Sequence, residues 1–198
     1  MTDALWYLGR GSGVIALTML TLVVALGIAT RSGRVVAGQP RFVLTAVHRS
    51  ASLLSVVFLV IHVGTLLFDP YAELSLVNLV VPFTSTYRPL WVGLGAAALD
   101  LLAALVITSL LRDRIGPRIW RAVHWAAYVC WPVALAHGLG SGSDGGQLWF
   151  RVFAGVCSAV VAGCLIWRLS GRFTENRRVP TASPVRTVRR NSTLEAGR

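Results

Sequence analysis

Apolar residues in this chain are gathered into blocks about as long as a membrane is thick. Stretches at about 12 to 30, 45 to 68, 89 to 111, 121 to 139 and 147 to 169 approach the roughly 20 residues that a helix needs to cross a hydrocarbon layer about 30 Å deep. Inside hydrocarbon no water can satisfy a backbone N–H or C=O, so a spanning segment must bond internally as a helix. With 55% hydrophobic residues over 198 positions, the expected fold is an all-α integral membrane protein, a bundle of five transmembrane helices.

Nineteen arginines and no lysine give a net charge of +11. Hardly any of them lies inside a span, so nucleic-acid binding explains the charge poorly, and position explains it better. Arg31, Arg34, Arg41 and Arg49 follow the first span, and Arg112, Arg114, Arg118 and Arg121 follow the third. Another run, from Arg168 to Arg198, follows the fifth. The alternate connections carry Asp69, Glu73 and Asp144. Cytoplasmic loops hold the excess of arginine in multi-pass proteins, which puts the N-terminus outside, the C-terminus in the cytoplasm and the chain in the cell membrane. The opening MTDALWYLGRGSG has no basic stretch ahead of its first apolar run, so that run reads as an uncleaved anchor.

The connections are short. Within residues 69–88, an apolar core from Leu74 to Phe83 is too short to cross and is expected to form an external interfacial helix. GLGSGSDGG at 138–146 reads as a flexible external loop. Residues 1–169 then form one membrane domain, and 170–198 form a basic, disordered cytoplasmic tail drawn to anionic membrane lipid. In such a tail the NST at 191–193 is a chance glycosylation match. Cys130, Cys157 and Cys164 make no C-x-x-C pattern and read as small packing residues. Gly93, Gly95, Ala97, Gly155, Ala159 and Gly163 fit close helix packing, and equally fit room for a flat cofactor.

All four histidines lie in two of the spans: His48 and His62 in the second, His124 and His137 in the fourth. Polar side chains at membrane depth are costly and mark functional sites. Both spans run from the cytoplasm outward, so they are parallel, and His48 is level with His124 while His62 is level with His137. At a rise of 1.5 Å per residue the two levels are about 20 Å apart. Each level therefore offers two imidazoles to one object, as two hemes with paired axial ligands would need. Tetrahedral zinc wants three or four protein donors, and each level offers two. With both axial positions filled, no iron site is left for substrate, which points to electron transfer.

Helical rotation favours one span and strains the other. Fourteen steps of about 100° bring His62 within about 40° of the face of His48. Thirteen steps leave His137 about 140° from His124. Pro132 lies between them, so the fourth span is expected to bend or rewind there.

The fourteen and thirteen spacings on parallel spans, the HRS and RAVHW contexts and the segment leading to YRPLW resemble the ferric reductase-like transmembrane domain, over about residues 6 to 169. That family includes the membrane cores of NADPH oxidases and ferric reductases and the heme subunit of a bacterial methionine sulfoxide reductase. The resemblance implies two b hemes, the cytoplasmic-side one on His48 and His124 and the outer one on His62 and His137, with electrons passing outward. NADPH oxidases differ in having one more span before this core and flavin and nicotinamide domains after it. Here 29 residues follow Leu169 and no G-x-G-x-x-G is present. The donor is thus expected in trans, as a flavoprotein or a membrane quinol, with an external acceptor or partner reductase.

Arg49 and Arg121, beside His48 and His124, are candidates to pair with heme carboxylates, as arginine does bidentately; Arg88 is the candidate for the outer heme. The same arginines would serve topology alone equally well. Asp100, in the middle of the third span, calls for a partner such as Arg10 or for protonation. Trp125, Tyr128 and Trp131 between the two ligands of the fourth span read as aromatic packing. No acid, base or nucleophile set is evident, so catalytic residues are not assigned. Two other readings remain at this level: a histidine-lined transporter for a metal ion or protons, and a structural subunit whose histidines only join helices.

Overall fold

The structure is a computed structural model that describes residues 2–32, 38–70, 72–141 and 144–170. Among the described residues seven helices follow one another: α1 (Thr2–Arg31), α2 (Arg41–Leu67), α3 (Leu76–Val80), α4 (Pro89–Leu110), α5 (Arg112–His124), α6 (Ala127–Ser141) and α7 (Leu148–Leu169). Ala4–Arg31, Arg41–Leu67, Pro89–Leu110 and Leu148–Leu169 are each long and apolar enough to cross a membrane. The protein is a multi-pass membrane protein. The expected tail beyond Ser170 lies outside the described residues.

The region expected as one span at 121–139 is built differently. Its first residues end α5, its remainder is α6, and a turn at Trp125 and Ala126 separates them. Earlier in α5, Gly116 takes φ 79° and ψ 163°, a conformation that glycine tolerates and other residues resist. Pro117 then restarts the helix, its fixed φ and absent N–H suiting a first turn. The arginine-rich α5 thereby approaches at its own angle, and exposed Arg112, Arg114, Arg118 and Arg121 stay out of the bundle.

The connections also differ from expectation. Only Leu76–Val80 of the apolar stretch 74–83 is helical, begun by Ser75, whose hydroxyl accepts from the Asn78 N–H while Asn78 accepts from the Ser75 N–H. Five residues make about one turn, so this segment is a cap and not an interfacial helix of useful length. Residues 138–141, expected in the external loop, form the last turn of α6.

Packing divides the bundle into two hairpins. α1 lies antiparallel against α2, and α4 against α6; α2 and α6 do not form a close helix pair. The core joins the hairpins at mid-depth, where Leu20, Val24 and Ile28 of α1 meet Leu105, Cys130, Trp131, Cys157 and Val161. Trp131 donates its indole N–H to the Thr21 hydroxyl at 2.9 Å. Ser12, Thr18 and Thr21 return their own hydroxyl protons to carbonyls one turn back, so no donor is left facing hydrocarbon. Large apolar side chains such as Val60, Val156 and Ile166 face outward, as a lipid-facing surface requires.

Candidate functional site

Between the two hairpins lies a cavity of about 350 Å³, within the size of ordinary cofactor pockets. His62 enters it from α2 and His137 from α6, and Leu17, Leu20 and Leu102 supply much of its apolar wall. The two imidazole rings stand with centroids 6.3 Å apart and planes at 79°.

Each ring is held from behind. The Nδ1 of His62 lies 2.7 Å from the carbonyl of Gly9, and the Nδ1 of His137 lies 2.8 Å from the carbonyl of Trp91. A carbonyl oxygen can only accept, so each Nδ1 carries the proton and donates. The unprotonated Nε2 of each ring is left as the available ligand atom. A metal shared by both rings would lie about 2.0–2.1 Å from each nitrogen; adding about 1.1 Å from nitrogen to ring centre on each side gives about 6.3 Å, the separation found. Two neutral imidazoles facing one cavity, each with Nε2 available, are a donor set that would fit a heme iron.

The second pair is built from α2 and α5. His48 donates through Nδ1 to the carbonyl of Val23 at 3.1 Å. His124 is the last residue of α5 and stacks on Trp120, ring centroids 4.8 Å apart at 26°. Its Nδ1 is buried and has no hydrogen-bond partner among the described residues. His48 and Arg31 both lie within electrostatic range of His124. With His62 against His137 and His48 near His124, α2 and the α5–α6 pair run in the same sense.

Delivery of His137 to the face of His62 depends on the turn between α5 and α6. Ala126 bonds back to Val123, Tyr128 to Trp125 and Val129 to Ala126, each three residues back instead of four. Such 3₁₀ winding turns about 120° per residue, about 20° more than α. Over this turn it makes up roughly half of the 140° by which a regular helix would miss. That half of the rewinding lies before Pro132, which sits inside α6, and so not at the proline, where its position suggested it would be.

Glycines of α1 and α4 make room for the rings. A Cβ on Gly13 would lie 2.9 Å from Cε1 of His62, one on Gly27 3.3 Å from Cε1 of His48, and one on Gly95 2.5 Å from Cε1 of His137. Gly13 and Gly27 were missed from sequence, although their fourteen-residue spacing repeats that of His48 and His62. That matched spacing on the preceding span was the available signal.

The candidate arginines are placed unevenly. Arg49 and Arg121 are exposed. Arg88 donates to the Gly140 carbonyl at 2.8 Å and lies over the Tyr87 ring. Arg10, read as a partner for Asp100, pairs instead with Asp144 at the cavity wall, and its Nε is buried without a partner among the described residues. Asp100 is exposed on α4. Trp131 is core, whereas Trp125 is 53% exposed. Tyr128 accepts from Arg168, whose guanidinium lies over both the Trp125 and Tyr128 rings. Among the described residues no three His, Cys, Asp or Glu side chains gather as a metal cluster.

Residues 12–135 match the family model described as ferric reductase like transmembrane component. The match takes in His48, His62 and His124 and stops just before His137 and α7, short of the 6–169 that the sequence resemblance suggested. No curated protein matches the chain, and no solved structure does.

Proposed function

The chain belongs to the ferric reductase like transmembrane family, and from that premise we propose that it is a diheme b-type membrane cytochrome, carrying electrons across the cell membrane. The observation that supports this most is the outer pair: two imidazoles 6.3 Å apart, each with its Nδ1 proton donated to a backbone carbonyl and its Nε2 free. His62 and His137 would hold the outer heme, and His48 and His124 the cytoplasmic-side one. Heme bound there supplies reversible one-electron oxidation and reduction of its iron. Two histidines would hold the group at each level, a donor set that suits electron transfer. The apolar walls exclude water, and Arg10, with a free buried donor, joins Arg88 as a partner for carboxylates at the outer level. Arg49 and Arg121 are the candidates at the inner level.

By the arginine distribution, five passes would place the N-terminus outside and the C-terminus in the cytoplasm, with the α5–α6 pair completing the fourth. Electrons would enter from a flavoprotein or a membrane quinol and leave to an external acceptor or partner reductase. Purified protein should show a reduced-minus-oxidised spectrum of bis-histidine b heme with two hemes per chain. Colourless protein that binds divalent metal would replace this reading with the transporter.

A further inference from the structure

We propose that the four histidines are unequal ligands and that His124 is the releasable one, so that the cytoplasmic-side heme alone can open a coordination position. This rests on the heme reading above and adds a difference between its two sites.

Three of the rings share one device. In an α-helix the carbonyl of residue n points toward residue n+4, whose side chain would normally shield its outer lone pair. The carbonyl of Gly9 is followed by Gly13, that of Val23 by Gly27 and that of Trp91 by Gly95. Each pair forms a notch in which the imidazole lies over the glycine and donates Nδ1–H to the carbonyl, at 2.7 Å for His62, 3.1 Å for His48 and 2.8 Å for His137. The spacings agree: the notches of α1 are as far apart as His48 and His62.

The fourth notch is absent. Gly95 serves His137, and on α4 beside His124 the stacked Trp120 donates its indole N–H to the Ser109 hydroxyl at 3.3 Å, which puts position 108 next to the ring. That position holds Thr108, whose hydroxyl donates to the Ala104 carbonyl at 2.6 Å. A side chain therefore covers the Ala104 carbonyl where each of the other three notches has a glycine. Consistently, the Nδ1 of His124 is buried without a hydrogen-bond partner among the described residues, and the ring stacks on Trp120. A ligand imidazole that donates its second N–H is oriented and made a better donor, and losing such a partner typically costs 10–100-fold in metal affinity. His124 is thus the weakest of the four positioned ligands.

Carbon monoxide, which binds ferrous heme only where an axial position opens, tests this on the full chain with both hemes bound and reduced. One of the two hemes should shift its Soret band on CO addition and the other should not. Thr108→Gly, which frees the Ala104 carbonyl, should weaken CO binding about 10-fold or more, whereas Gly163→Ala on α7, where a Cβ meets nothing within 4 Å, should leave it unchanged. His137→Ala provides a check independent of the Thr108 variant: the heme that survives in it should be the CO-responsive one. Diheme protein in which neither heme or both respond, or in which His137→Ala abolishes the responsive heme, would overturn the inference alone. Protein with no b-heme bands would overturn the heme reading and this inference together.

Discussion

At the scale of single residues, ring position is set by small atoms on the neighbouring helix. Gly95→Ala would place a methyl 2.5 Å from Cε1 of His137, a separation that forces the ring to move, whereas at Gly27 the corresponding distance to His48 is 3.3 Å and a few tenths of an ångström relieve it. The expected outcome is that Gly95→Ala loses most of the outer heme while Gly27→Ala keeps its heme, read as heme per chain after purification. A different residue governs stability without touching the site. Thr21→Val removes the acceptor of the Trp131 indole inside the mid-depth core. Interhelical hydrogen bonds in membranes are worth about 0.6 kcal/mol on average and up to about 1.7. Thermal unfolding in detergent should therefore fall by a few degrees with the heme spectrum unaltered.

At the scale of elements, the turn between α5 and α6 decides whether His137 faces His62. Its three-residue-back bonds at Ala126, Tyr128 and Val129 supply about half of the extra winding ahead of Pro132. Pro132→Ala should leave two hemes per chain and restore one backbone donor to α6. Inserting one alanine between Trp125 and Ala126 should rotate His137 by about 100° and remove the outer heme, while His124, before the insertion, keeps the inner one. Two hemes retained in the insertion variant, with outer-heme loss in Pro132→Ala, would show that the proline and not the turn sets the register.

At the scale of the whole molecule, two hairpins are held together at mid-depth and leave a gap between α2 and α6. Most of the arginines lie toward the ends of this assembly, and the orientation proposed from them can be tested directly. A membrane-impermeant thiol reagent applied to intact cells should label Gln147→Cys, exposed ahead of α7, and should spare Arg114→Cys, exposed in α5. The native thiols Cys130 and Cys157 are buried and Cys164 is half-buried, so the parent protein with no added cysteine sets the background. Labelling of Arg114→Cys from outside would invert the proposed direction of electron flow.

Hydropathy and residue type, which are local, determined that the chain is helical and lives in a membrane, and the confinement of every histidine to two segments singled those four out. Spacing on a straight helix is also local, and it showed that His48 and His62 share a face. The partner of each Nδ1 is not local: it depends on which backbone carbonyl of α1 or α4 comes within 3.1 Å, and so on helix register across the bundle. The same holds for Arg10, which the chain brings to Asp144 across the cavity mouth instead of to Asp100. Where the fourth segment rewinds was misread because proline is the loudest helix breaker in a sequence, while a single 3₁₀ turn has no residue signature of its own and is selected by the packing on either side.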